Sequence, residues 1–132
     1  MTTELIFVYG TLRTNARNWT RNWTRYLAPQ CGRAATTSPN FTMRRVGSFE
    51  RGYPVLEAEG TTAIHGEVFE VDSATLESID QLEGHPTWYQ REMISVRPDD
   101  NTEVEAWIYL MPKGQYPTAP LIESGNWLAP DP

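Results

Sequence analysis

Residues 5–13, LIFVYGTLR, hold the pattern that most strongly constrains the fold. Four apolar residues open the stretch, and the β-branched and aromatic side chains among them predict a short buried strand. A turn at Gly10 follows, where the missing Cβ lets the backbone bend sharply or approach a ligand closely. A strand, a glycine turn and a helix in this order predict backbone N–H groups directed into one anion-binding concavity. The same pattern also suits a plain strand-turn-helix connection.

The length of 132 residues predicts a single domain, residues 1–132, that is large enough to bury a core. We place the core in residues 4–110 and expect a proline-rich, extended tail in residues 111–132. The chain carries 11 basic and 17 acidic side chains, a net charge of −6. This balance argues against non-specific binding to nucleic acid.

The cysteine content and the hydropathy of the chain indicate where in the cell the protein is located. Cys31 is the single cysteine, so an intramolecular disulfide and a cysteine-based zinc site are excluded, and we expect an inert thiol. No signal-peptide pattern precedes the first strand, and no apolar run approaches the roughly 20 residues that span a bilayer. These observations predict a cytoplasmic protein with no membrane partner.

Residues 17–25, RNWTRNWTR, repeat a four-residue unit. A spacing of four keeps like residues near one face of a helix, so the arginines form one stripe and Trp19 and Trp23 form another. We expect a helix that lies against the sheet. The alternative is a surface that contacts a protein partner through Trp19 and Trp23, whereas the overall acidity disfavours a nucleic-acid partner.

The rest of the chain predicts an α+β fold, a curled mixed β-sheet or small barrel of about six to eight short strands with two main flanking helices. Alternating apolar residues predict a strand over residues 63–71, and a turn between residues 89–96 and 103–110 predicts a hairpin. Leu76, Ile79 and Leu82 share one face of a helix that residues 72–74 can cap. We predict further strands at residues 33–37 and 40–46, an irregular segment at 47–54, and a short helical turn near residues 121–122.

Glu83 is the candidate for proton transfer. It ends the second predicted helix and is followed by aromatic residues, and both surroundings disfavour a charged carboxylate, which should raise its pKa. The alternative is a solvent-exposed glutamate at a helix end. Asp80, one turn earlier, either shares this site or, as we favour, caps the helix or pairs with Arg91. For His85 we favour a role in the loop over a catalytic role.

Five blocks of sequence occur in the order typical of one enzyme family. They are Tyr9-Gly10-Thr11-Leu12 after the first strand, Gly-Tyr-Pro at 52–54, a Gly-Glu-Val-Phe-x-Val strand at 66–71, the helix of residues 76–83 ending in Glu83, and Tyr-Gln-Arg at 89–91. With the strand around residues 105–109, the chain resembles the gamma-glutamylcyclotransferase-like family over residues 5–110. The short domain is closer to the branch that cleaves γ-glutamylamines than to the larger enzymes that act on γ-glutamyl dipeptides or glutathione.

The resemblance implies an active-site cavity between the first turn and Glu83, with Glu83 as the general acid and base. It implies that a γ-glutamyl substrate is converted to 5-oxoproline and a released amine without a metal or cofactor. The substrate-binding residues that follow from it are Tyr9, Gly10, Thr11, Leu12, Tyr53, Tyr89 and Arg91. Backbone N–H groups at positions 10–12 would hold the substrate α-carboxylate.

One departure from the family pattern lies after the first turn, where the Arg-Asn-Trp-Thr repeat replaces a Gly-x-x-Asn-His type segment. The alternative function is therefore a non-catalytic module of the same fold that binds a small carboxylate or a protein partner. The presence of Glu83 together with the Tyr-Gly-Thr-Leu turn favours the enzyme.

Overall fold

The computed structural model describes residues 3–10, 33–48, 52–83, 85, 89–99 and 102–127, with the backbone alone at Thr3, Leu82 and Glu83. The elements within these residues are β1 (Thr3–Val8), β2 (Arg33–Thr37), β3 (Phe41–Val46), β4 (Tyr53–Thr62), β5 (His65–Asp72), α1 (Ser73–Glu83), β6 (Gln90–Pro98) and β7 (Val104–Leu110). The seven strands agree with the predicted six to eight. The predicted first helix, including Trp19 and Trp23, lies outside the described residues, as does Cys31.

Five strands close into a barrel in the order β1-β5-β2-β6-β7. Four of the pairings are antiparallel, and the parallel contact between β7 and β1, with Trp107 opposite Ile6, completes the ring. Closure satisfies the backbone groups that an open edge strand would expose. The prediction of a curled mixed sheet is therefore confirmed, and the hairpin of β6 and β7 is present as expected.

Alternation along the barrel strands divides the core into two layers. Phe7 of β1 packs in a cluster to which all five barrel strands contribute, so this layer fills the barrel. Its neighbours Ile6 and Val8 point the other way, into a second cluster with Leu76 and Ile79 of α1. The helix thus covers the outside of β1 and β5 with the apolar face that its spacing predicts.

The start of α1 follows the predicted cap. The Thr75 backbone N–H donates to Asp72 Oδ1 at 2.7 Å, which satisfies one of the free donors in the first turn. The same hydrogen bond lowers the pKa of the Asp72 carboxyl. The helix ends at Glu83, one residue before Gly84. Within the described parts of the chain, no helix combines the length and the apolar character that crossing a bilayer requires.

Strand β4 corrects the predicted irregular segment at residues 47–54. Tyr53 pairs with Val46 and Pro54 with Arg45, so both belong to the strand. The extended conformation that a residue before proline prefers is also the strand conformation, which explains why Tyr53 can begin β4. Pro54 is tolerated in β4 because a strand of a two-stranded sheet has positions whose backbone N–H does not donate to the partner strand.

The C-terminal segment adds to the second sheet, and the turn predicted near residues 121–122 begins only at Ile122, where the Gly125 N–H donates to Ile122 O at 3.1 Å. Leu121 forms an antiparallel bridge with Arg44 of β3. The Ile122 N–H donates to Met43 O at 2.8 Å, and the Arg45 N–H donates to Pro120 O at 2.9 Å. Because β3 needs a partner on its outer edge, these backbone hydrogen bonds favour an extended conformation over a helical turn at Leu121. Ile122 then packs in the same cluster as the barrel interior.

Candidate functional site

The turn after β1 lies against the start of β4. A Cβ built on Gly10 would be 2.7 Å from Pro54 Cγ and 3.0 Å from Pro54 Cδ, too close for any other residue without a shift of the proline ring. The glycine therefore permits close packing between two sequence blocks that lie more than forty residues apart. This contact brings Gly10 beside Pro54, the residue that follows Tyr53.

Two tyrosines fix the surroundings of this contact. The Tyr89 hydroxyl donates to Pro54 O at 3.1 Å, and the Tyr9 hydroxyl donates to Tyr109 O at 2.5 Å. Both phenols are buried, and Tyr89 and Tyr109 pack in the outer cluster beside β1. The structure therefore brings Tyr9, Gly10, Tyr53 and Tyr89 to one region. Thr11 and Leu12 lie outside the described residues.

Asp80 connects the helix to the barrel. Its Oδ1 accepts hydrogen bonds from Arg91 Nε at 2.9 Å and from the Tyr109 hydroxyl at 2.6 Å. The predicted pairing of Asp80 with Arg91 is confirmed. A charged acceptor shared by two donors from β6 and β7 fixes the last turns of α1 more firmly than apolar contact alone, because hydrogen bonds to ionised groups are strong and directional.

We expect replacement of Asp80 by Ala to lower the free energy of unfolding by about 2–3 kcal/mol, since it removes the partner of one guanidinium and one phenol in a partly buried place. Asp80→Asn keeps an acceptor oxygen but removes the charge, so its cost should be about half as large. Urea unfolding of the two variants measures both values. Glu77→Ala on the exposed side of α1 is the control, and equal losses in all three variants would contradict the role assigned to Asp80.

Arg91 is held by protein groups on two sides. Its guanidinium carbon lies 4.2 Å from the centroid of the Trp107 ring, in cation–π geometry, while its Nε donates to Asp80. Trp107 Nε1 in turn donates to Glu4 Oε2 at 2.9 Å. The substrate-binding role of Arg91 stays a prediction. Its described contacts make it a residue that joins α1 to the barrel.

His85 has the loop role that the sequence favours. Its backbone N–H donates to Asp80 O at 2.9 Å, and its ring Nδ1 accepts from the Arg91 backbone N–H at 3.1 Å. His85 thereby connects α1 to the start of β6. Among the described residues, no three His, Cys, Asp or Glu side chains converge as they would around a metal ion.

Tyr116 and Tyr109 contact predicted site residues, and the sequence analysis does not single them out. The Tyr116 and Tyr53 hydroxyls are 3.3 Å apart. Burial, followed by the hydrogen bond and the charge interaction with Tyr116, raises the pKa of Tyr53 to about 12, so its phenol stays protonated. The sequence pattern could have indicated Tyr109, since it shares one face of β7 with Trp107. Tyr116 lies in a segment without periodicity, and nothing local marks it.

Glu83 occupies the last position of α1, three residues after Asp80. Positions three apart lie on the same side of a helix, so the backbone of Glu83 is one turn beyond the residue that bonds to Arg91 and Tyr109. Its side chain lies outside the described residues. The hydrogen bonds of Asp80 therefore anchor the end of α1 to β6 and β7.

Comparison with known proteins identifies the family of the chain. The family described as "Gamma-glutamyl cyclotransferase, AIG2-like" matches residues 6–129. A protein of Methanocaldococcus jannaschii named "Putative gamma-glutamylcyclotransferase" is 35% identical over 94% of this chain and 95% of its own length. A "Gamma-glutamylcyclotransferase family protein" of Citrobacter rodentium is 34% identical over 96% of each chain. The crystal structure of an AIG2-like protein from Mus musculus superposes with a TM-score of 0.76 at 26% identity, covering 94% of this chain and 88% of that one.

The chain belongs to the gamma-glutamyl cyclotransferase, AIG2-like family. The match continues well past residue 110 and includes the segment that pairs with β3. This extent agrees with the packing of Ile122 in the core.

Proposed function

We propose that the protein is a cyclotransferase that converts a γ-glutamylamine, or a related γ-glutamyl compound, to 5-oxoproline and a free amine. Family membership supports the reaction class, and the names of the relatives point to the γ-glutamyl group. The observation that carries the proposal is the packing of Gly10 against Pro54, together with Tyr109, whose backbone oxygen accepts from Tyr9 and whose hydroxyl donates to Asp80 on the helix that ends at Glu83.

In the proposed reaction the substrate attacks itself. The α-amine nitrogen bonds to the γ-carbonyl carbon, and the bond from that carbon to the leaving nitrogen breaks. The attacking nitrogen must lose a proton and the leaving nitrogen must gain one. A single carboxylate between the two nitrogens serves first as base and then as acid, and we assign this role to Glu83.

Most of the remaining task is conformational, because both reacting groups belong to one molecule. Holding the γ-glutamyl chain bent brings the amine to the carbonyl, and well-oriented intramolecular reactions reach very high effective molarities. In the proposal, backbone N–H groups at residues 10–12 bind the α-carboxylate, while Tyr53 and Tyr89 bound the site on the β4 side. The hydrogen bonds of Asp80 keep the helix end that carries Glu83 in place.

Mass spectrometry of 5-oxoproline tests the proposal directly. The purified chain is incubated with a panel of γ-glutamylamines, γ-glutamyl dipeptides and glutathione. We expect 5-oxoproline in a fixed ratio to released amine, with the γ-glutamylamines turned over fastest. Product from glutathione alone would move the assignment to another substrate class. No product from any member of the panel would overturn the enzyme assignment and favour a binding module of the same fold.

A further inference from the structure

The Tyr53–Tyr116 pair is the feature that the proposed function leaves unexplained. The two hydroxyl oxygens are 3.3 Å apart, and both residues pack against the outer cluster that also contains Tyr89. Tyr53 directly precedes Pro54, whose ring faces Gly10 and whose carbonyl accepts from Tyr89. The pair is therefore connected to this contact through Tyr89, whose cluster it shares and whose hydroxyl bonds to Pro54.

When two phenols form a hydrogen bond with each other, one of their two O–H groups is not used in that bond. Each hydroxyl carries a single O–H, and only one of the two can lie between the oxygens. Within the described parts of the chain, neither phenol makes another hydrogen bond. The second O–H is therefore a donor that a ligand oxygen can use.

Side chains of β3 and β4 hold the C-terminal segment in place on both sides of Tyr116. Before it, the Gly114 N–H donates to Glu57 Oε2 at 3.1 Å, and Glu57 is buried. After it, Arg44 Nη1 donates to Ala119 O at 2.9 Å and to Pro117 O at 3.4 Å. Arg44 and Glu57 also form an ion pair, with Nε and Oε1 separated by 3.6 Å. These contacts of Arg44 and Glu57 with the C-terminal segment fix the backbone around Tyr116, as a binding residue requires.

We propose that Tyr116 is a specificity-determining residue, which together with Tyr53 donates one hydrogen bond to an oxygen of the γ-glutamyl group. The inference rests on the proposed function for the identity of the ligand. It adds to that function a side chain from the C-terminal segment. The pair rejects substrate analogues that lack an acceptor oxygen at this position, because its donor would then be left without a partner.

The test uses the full chain with Tyr116→Phe, Tyr53→Phe and the double variant, and with Gln115→Ala as the control in the adjacent exposed position. Steady-state kinetics use the best substrate of the panel, and calorimetry measures binding of 5-oxoproline. We expect Tyr116→Phe to raise KM roughly tenfold with a smaller change in kcat, while Gln115→Ala stays close to the parent. A raised KM in Tyr53→Phe without one in Tyr116→Phe would overturn the inference.

Urea unfolding separates binding from a merely structural role. A lower unfolding midpoint in Tyr116→Phe with an unchanged KM would overturn the inference. If the parent forms no 5-oxoproline but binds it, and Tyr116→Phe binds it about tenfold more weakly, the proposed reaction falls and the binding role stands. Equal binding by parent and variant, or no binding by the parent, would overturn the inference.

Discussion

Replacing Glu83 by Gln should remove turnover and leave the fold and ligand binding intact. The amide has nearly the shape of the carboxylic acid but cannot exchange a proton, so both proton transfers of the proposed reaction lose their carrier. General acid–base catalysis typically contributes 10²–10⁴-fold, and we expect kcat to fall by about that factor. KM should change by roughly threefold or less, because the group acts mainly in the transition state. The rate of 5-oxoproline formation measures the effect.

Glu77→Gln is the matched control for this experiment. It makes the same chemical change on the same helix, at an exposed position six residues earlier. Its rate should equal that of the parent. The pH dependence provides a second check, since the limb of the profile that reports the essential base should be absent from any residual activity of Glu83→Gln. Parent-like turnover in Glu83→Gln would exclude the assigned mechanism.

Replacing Trp127 by Ala should destabilise the protein by about 3–5 kcal/mol, the usual cost of truncating a buried aromatic side chain. Trp127 is only 6% exposed and packs in the cluster that fills the barrel, although it lies far along the proline-rich segment. Typical domains are stable by about 5–15 kcal/mol, so this single change should remove a large share of the total. Urea unfolding followed by circular dichroism avoids dependence on the lost fluorophore.

Leu121→Ala in the same segment is the control, because Leu121 is 51% exposed. Its effect on the free energy of unfolding should stay within about 0.5 kcal/mol, as expected for surface positions. If Trp127→Ala also costs less than about 1 kcal/mol, the C-terminal segment does not complete the core. A large loss in the first variant alone would place residues 111–127 within the folding unit.

The local elements could be predicted where side-chain periodicity is decisive. Strand β5 alternates apolar and polar residues, and α1 repeats apolar residues at a spacing of three after a capping aspartate, so both follow from short-range rules. The hairpin of β6 and β7 follows from its polar turn. The sequence does not predict the full length of β4, because polar residues and Gly60, which have a low strand propensity, follow Val55 and Leu56. Pairing with β3 stabilises the strand at these positions.

Contacts around the candidate site could be predicted from the sequence where they involve nearby residues, as in the pairing of Asp80 with Arg91. The candidate roles of Gly10, Tyr53 and Tyr89 come from the resemblance to the family, and they stay predictions. Tyr116 could not be found in this way. It reaches Tyr53 from 63 residues further along the chain, through contacts of the C-terminal segment with β3 and β4 that include those of Glu57 and Arg44.

The sequence by itself determined the family and the types of most elements, because these depend on patterns within a few neighbouring residues, and it supplied Glu83 as the candidate for the proposed chemistry. Only the tertiary structure decided three other features. They are the closure of the barrel through β1 and β7, the pairing of the C-terminal segment with β3, and the approach of Gly10 to Pro54. Each joins residues distant along the chain, and such contacts depend on packing and backbone hydrogen bonding that no local period records.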